Sequence, residues 1–261
     1  MNILEYQMID VLKILKNEYG VFEIKAEFEA EGSRMEEMMR LKDITTFVGL
    51  PIILKIGGVE AVTDIYNALS IGVKGIIAPM VETPFALSKF LNLIKNMIPQ
   101  DNAKDIEFAF NLETFTAYKN IDEMFKLPNV SILSGVTIGR VDLTGSMGLD
   151  REAINTSSDV YDVCETILSK TKKNGLKTGL GGGISKETLP IITKLTESKL
   201  LDKFETRKVV FPAASYKHGY AAILKALEFE LLWLQSKRRF YSRIKVEDEN
   251  RIAMLEKRVN T

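Results

Sequence analysis

One cysteine, one histidine and one tryptophan occur in 261 residues, and these scarcities remove whole classes of chemistry. A single thiol, Cys164, excludes an intramolecular disulfide framework and suits a reducing compartment. It falls in the helical pattern "VYDVCETILSK", where an inert packed thiol is the expectation rather than a nucleophile. A single imidazole, His218 in "SYKHGYAAIL", excludes a histidine-rich metal site and a Ser–His–Asp set. It reads as a surface or packing residue. Excess charge is also missing: 35 lysines and arginines face 35 aspartates and glutamates. Net charge therefore gives no support to a general nucleic-acid or membrane-surface role. No apolar run is long enough to span a bilayer, and "MNILEYQMID" has no basic-then-apolar signal pattern. The expectation is a cytoplasmic protein with neither nucleic acid nor membrane as partner.

What is present is hydrophobic content, 46% of residues, in a pattern whose period keeps switching. Strand-like stretches at 21–28, 51–56, 73–80, 106–113, 130–139, 176–183 and 208–214 alternate with helical stretches at 33–48, 59–72, 84–98, 115–127, 157–175 and 186–198. Short strands alternating with helices predict a parallel sheet with helical crossovers. Seven such units in this length point to a TIM-type (β/α) barrel rather than an open doubly wound sheet. No G-x-G-x-x-G follows the first strand to support a dinucleotide fold. The count is one strand short of eight, because residues 5–18 read as a helix. Either the first barrel strand is absent or something irregular replaces it. Residues 1–214 are read as the barrel and 215–261 as a C-terminal helical extension. That extension is either a solvated helix pair on the barrel or an arm for subunit contacts.

Active sites of such barrels lie at the carboxyl ends of the strands. The charged residues at those positions are Glu27, Glu29, Glu31, Lys55, Glu82, Glu113, Arg140 and Asp142. Glycines 57–58 and 181–183 share the face, as tight turns or as places where backbone amides approach an anion. Glu113 and Asp142 stand on successive strand–helix turns. Two converging carboxylates without histidine or cysteine form the hard-oxygen arrangement suited to Mg²⁺ or Mn²⁺. A capping aspartate before a helix is the plainer reading of Asp142.

Three segments, in order, carry a resemblance: "GVKGIIAPMVETPFAL", "FNLETFTAYKNIDEMFKLPNVSIL" and "IGRVDLTGSMG". Together they are similar to the motifs of the HpcH/HpaI aldolase and citrate lyase β-subunit family, across roughly residues 72–148. The resemblance implies a pyruvate/phosphoenolpyruvate-type barrel with a divalent metal held by Glu113 and Asp142. It implies that Lys55, Arg140, Val141 and Asp142 contact the substrate, a 2-oxo acid or related carboxylate. It also implies a carbon–carbon lyase or aldolase working through an enolate, commonly as a homo-oligomer.

Two departures stand out. Where the family carries D-x-E-H or D-x-E-D, this chain reads "EFEA", so Ala30 replaces the histidine or second aspartate. Where the family places an arginine, Lys55 keeps the charge but not the bidentate fork. Glu29 becomes the candidate general base, with Glu27 and Glu31 expected to raise its pKa by mutual repulsion. Two alternatives stay open: a Schiff-base aldolase using Lys55, and a degenerate barrel serving as a binding or assembly subunit.

Overall fold

The computed structural model describes residues 1–259. Its eight strands close into one barrel: β1 (Glu23–Glu27), β2 (Ile52–Lys55), β3 (Gly75–Ala78), β4 (Glu107–Leu112), β5 (Leu133–Gly139), β6 (Lys177–Gly181), β7 (Lys203–Glu205) and β8 (Val209–Pro212). The helices are α1 (Ile3–Tyr19), α2 (Met35–Val48), α3 (Val62–Ile71), α4 (Pro84–Met97), α5 (Gln100–Ala103), α6 (Phe115–Phe125), α7 (Arg140–Ser146), α8 (Ser158–Lys173), α9 (Leu189–Glu197) and α10 (Tyr220–Val259).

The missing strand is explained by a change of direction. Strands β1 to β7 run parallel, but β8 is antiparallel to both neighbours. The short β7–β8 hairpin replaces the last crossover, and β8 fills the gap between β7 and β1. The stretch 208–214 is therefore a strand, as its β-branched run predicts, but it runs backwards. Strand β7, "KFE", escapes pattern reading because three residues cannot show a period. The N-terminal helix occupies the chain ahead of β1, held by a capping box between Asn2 and Glu5 and ended at Gly20 in the left-handed conformation.

Period-2 alternation sorts the strand residues onto two sides. Ile24, Ile52, Leu54, Ile76, Phe108, Phe110, Val136, Ile138, Leu180, Phe204 and Phe211 belong to the main apolar core with the helices. Inside the barrel the apolar content is small: Ile53, Ile77 and Val210, with Ala109 against them. Branched aliphatic side chains ordinarily dominate barrel interiors. Here Lys25, Glu27, Lys55, Asn111, Thr137 and Glu205 are buried instead.

The tail differs from a helix pair. It is one continuous helix, α10, whose 40 residues span about 60 Å; residues 260–261 of the 215–261 segment lie outside the described residues. Its first half packs antiparallel on α1 through Ala222, Ile223, Ala226, Phe229 and Trp233, all buried. From residue 242 onward nearly every position is exposed. Among the described residues no helix is long and apolar enough to cross a membrane.

The sparse interior plug is open to a direct test. Ile53→Ala should lower the unfolding free energy by about 2–4 kcal/mol in urea denaturation. A loss below about 1 kcal/mol would mean that the interior readjusts or admits water.

Candidate active site

A ladder of charges crosses the barrel interior toward its carboxyl-end face. Glu27 and Lys55 are direct partners across β1 and β2, and Lys25 lies two residues earlier on the same side of β1. Lys25 Nζ is 2.7 Å from Glu205 Oε1 and 3.0 Å from Glu27 Oε1. Lys55 Nζ is 3.7 Å from the same Glu27 oxygen and 2.7 Å from Glu29 Oε2. Burial works against the charge on Lys25, but Glu205 and Glu27 outweigh it and raise its pKa above the ordinary lysine value. Burial likewise pushes Glu27 up, yet Lys25 and Lys55 together hold it below the usual carboxylate range.

Glu27, Glu29 and Glu31, read from the sequence as mutually repelling, each face a lysine. Glu31 pairs closely with Lys208, a side chain only 2% exposed. Lys208 lies in the β7–β8 turn, with its ammonium 5.5 Å from the Trp233 ring centre.

Glu113 follows the end of β4 and is buried. Its Oε1 accepts the Met80 N–H at 3.0 Å, and its Oε2 accepts Asn111 Nδ2 at 3.3 Å. Met80, though not glycine, has φ +50°, an uncommon conformation that places its amide against the carboxylate. Opposite, Gly139 ends β5 so close that a Cβ there would lie 2.3 Å from Glu113 Oε2; only glycine fits. Burial raises the pKa of Glu113 and the nearby Asp142 charge adds to this, while Lys55 and the Met80 amide oppose it. Asp142 lies in the first turn of α7 and is exposed.

Lys55, Glu29, Glu113 and Asp142 thus converge on the carboxyl-end face, whereas Arg140 does another job. Its side chain is 1% exposed, and all five N–H groups are used internally. Nε donates to Gly181 O; Nη1 donates to Ile154 O and Asn155 Oδ1; Nη2 donates to Gly182 O and Thr188 Oγ1. Burial lowers its pKa to about 10. No donor remains for a substrate, so Arg140 is corrected from a substrate contact to a brace of the β6–α9 loop. Gly182, with φ +78°, lets that loop approach the backbone nitrogens of Arg140 and Val141, which a Cβ would meet at 2.7 and 2.8 Å. Val141 remains at the start of α7, where no side chain caps the helix.

The Gly57 amide is taken by Asp64 Oδ2 at 2.6 Å, so that turn is structural. Cys164 is buried, and burial pushes its thiol up to about 12; it is an inert core thiol. His218 meets Tyr19 edge-on at 5.4 Å, on the amino-end side of the barrel.

Lys25, Asn111, Glu205, Lys208 and Met80 were not readable as site residues. The alternation of Glu23, Lys25 and Glu27 with Ile24 and Ala26 marks a polar strand face, but does not say that this face points into a closed barrel.

The donor set suits a hard divalent cation. No group of three or more His, Cys, Asp or Glu residues able to hold a metal occurs among the described residues. Glu113 and Asp142 could supply two oxygen ligands, with water and substrate completing the shell, as such cations accept.

The HpcH/HpaI aldolase/citrate lyase family model matches residues 41–179. No curated protein sequence matches the chain. Among solved structures, the HpcH/HpaI aldolase from Desulfitobacterium hafniense DCB-2 is similar at TM-score 0.61 and 15% identity, over 77% of this chain and 82% of that one. Citrate synthase SbnG is similar at TM-score 0.62 and 16% identity, over 90% and 91%. Macrophomate synthase is similar at TM-score 0.54 and 15% identity, over 89% and 82%.

The ladder makes a pH prediction. Because the pKa of Glu27 is depressed in the folded state, its contribution to stability is full above the ordinary value of 4.5. It is lost as pH falls through the folded value. Glu27→Gln should cost about 1–3 kcal/mol at pH 7, a discount on the loss from a broken buried pair because Lys25 and Lys55 each keep one carboxylate. The difference from wild type should shrink as pH falls below 4.5 in urea titrations. A constant difference across that range would remove Glu27 as the titrating group.

Proposed function

The chain belongs to the HpcH/HpaI aldolase/citrate lyase family, and from that premise we propose a divalent-metal-dependent carbon–carbon lyase or aldolase. Its substrate is a 2-oxo acid, pyruvate-like, or a related small carboxylate, and the reaction runs through an enolate. The observation that carries this reading is the convergence of Glu113, Asp142 and Lys55 on the carboxyl-end face. The family is generally metal-dependent, and Glu113 and Asp142 would hold the cation, Mg²⁺ or Mn²⁺. When bound, the cation supplies Lewis-acid stabilisation of negative charge on substrate oxygens.

The chain's own residues divide the remaining work. Lys55, oriented by ion pairs to Glu27 and Glu29, offsets negative charge developing on the substrate oxygen. Glu29, with its side chain 30% exposed, is the proton acceptor within reach of that lysine. In the cleavage direction it takes the proton from the hydroxyl of the bond-breaking carbon. The amides of Val141 and Asp142, at the uncapped start of α7, receive the substrate carboxylate. Ala30 supplies no proton shuttle, so the acid–base work rests on Glu29. Gly139 keeps Glu113 close against β5 without displacing it.

Proton NMR of pyruvate in D₂O tests the reading. The methyl signal should disappear only with Mg²⁺ or Mn²⁺ present, and chelator should stop the loss. Asp142→Ala and Glu113→Gln should slow the exchange at least about 100-fold, the range seen when a charge-stabilising group is removed. Borohydride should leave Lys55 unmodified. Chelator-resistant exchange with borohydride trapping on Lys55 would replace this mechanism with a Schiff base. Absence of exchange for every small 2-oxo acid and metal tried would leave the assembly-subunit reading in its place.

A further inference from the structure

Helix α10 carries a second apolar face that its own barrel leaves uncovered. Ala222, Ala226, Phe229, Trp233 and Ser236 face inward and are buried. On the nearly opposite side, Leu224, Leu227, Leu231 and Leu234 follow the alternating three- and four-residue spacing of a coiled-coil seam. Continuing that register along the helix passes through Arg238, Lys245 and Asp248, with Tyr241 between them turned to Glu37 and Arg34 of its own barrel, then reaches Ile252, Leu255 and Val259 without a change of phase. The seven aliphatic side chains are 41% to 81% exposed. The part beyond residue 241 projects about 27 Å past the barrel's carboxyl-end face.

We propose that the occupant of this seam is the same helix of a second copy of the chain, paired antiparallel about a two-fold axis near Arg243. Reflection about that residue matches Leu234 with Ile252, Leu231 with Leu255, and Leu227 with Val259. Each apolar layer forms twice, once on either side of the axis. The charged middle becomes complementary as well, with Arg238 opposite Asp248. A parallel pair would instead stack Arg238 on Arg238, Lys245 on Lys245 and Asp248 on Asp248, three like-charged layers. The charge pattern thus selects the antiparallel arrangement.

Flanking positions add Ile244 against its own copy and Glu230 beside Arg258. They also bring together Glu228 with Glu256 and Lys237 with Arg251. Glu228 is already paired with Lys225, and Lys237 with Glu37, which reduces the repulsion. Each barrel lies on the inward side of its own helix, so the two barrels sit on opposite sides of the helix pair and do not collide. The tip of one helix lies along the outside of the other barrel.

Sedimentation velocity of the full chain tests this. The wild type should contain an even number of subunits, and Leu231→Glu or Leu255→Glu should halve the mass while circular dichroism of the barrel persists. Arg238→Asp alone and Asp248→Arg alone should each weaken association at least about tenfold, and the double exchange should restore it. For orientation, oxidation of the Leu231→Cys/Leu255→Cys double variant should give a covalent dimer, and neither single variant should. In this pairing residue 231 and its symmetry copy lie about 36 Å apart along the helix, and native Cys164 is buried. A monomeric wild type overturns the proposal. So does an oligomer indifferent to Leu231→Glu and Leu255→Glu, or self-crosslinking of Leu231→Cys alone.

Discussion

A lysine taken out of water inside a closed sheet must be paired, and the architecture around Lys25 meets that demand. Lys25 finds Glu27 on its own strand and Glu205 on β7. Glu27 is then shared with Lys55, which reaches Glu29 at the rim. The ladder links the deep interior to the carboxyl-end face by direct ion pairs. Lys55 is consequently a cation fixed from two sides, and its charge is felt at Glu113. Few aliphatic side chains fit inside alongside these groups, which accounts for a plug as small as Ile53, Ile77, Val210 and Ala109.

Much of this fold is legible in the sequence, for identifiable reasons. The runs before Lys55, Ala78, Leu112 and Gly139 are β-branched or aromatic and bounded by helix signals such as Thr83 and Thr114, which cap α4 and α6. The barrel class follows from that alternation. The direction of β8 does not, because parallel and antiparallel strands share the same period and only the length of the intervening connection tells them apart. The connection from β7 to β8 was hidden because β7 itself was too short to recognise. At the site, Glu113, Asp142 and Lys55 could be located because strand ends in a barrel converge. Arg140 illustrates the limit of that rule: it too begins just beyond a strand end, yet its guanidinium turns to five internal acceptors, two of them carbonyls of Gly181 and Gly182.

Relatives at about 15% identity establish the shared barrel and leave the chemistry to be argued from the residues present. Lysine at position 55 is a point charge with freely rotating donors, whereas an arginine would impose a planar fork. The surroundings compensate by restricting it: two carboxylates hold the ammonium where a guanidinium would have been held by its own geometry. Ala30 beside them leaves space instead of a titrating group. These two positions together define a mouth with fixed positive charge, two acidic oxygens opposite, and no imidazole among the residues that line it.

Closing the barrel with its final strand also orders events in time. Lys25 and the Glu205 carboxylate that accepts its proton-bearing nitrogen are 180 residues apart in the chain, and β1 meets β8 only after everything between them has been made. Long-range contacts of this kind form slowly, since the entropy of closing the loop is lost before any contact rewards it. While the nascent chain lacks its last strands, β1 keeps an open edge, and Lys25 has Glu27 but not Glu205 to pair with. Dehydration of the interior therefore coincides with completion of the sheet. A chain cut short before Val209 would lack the strand that closes the sheet between β7 and β1, and so would have no inside.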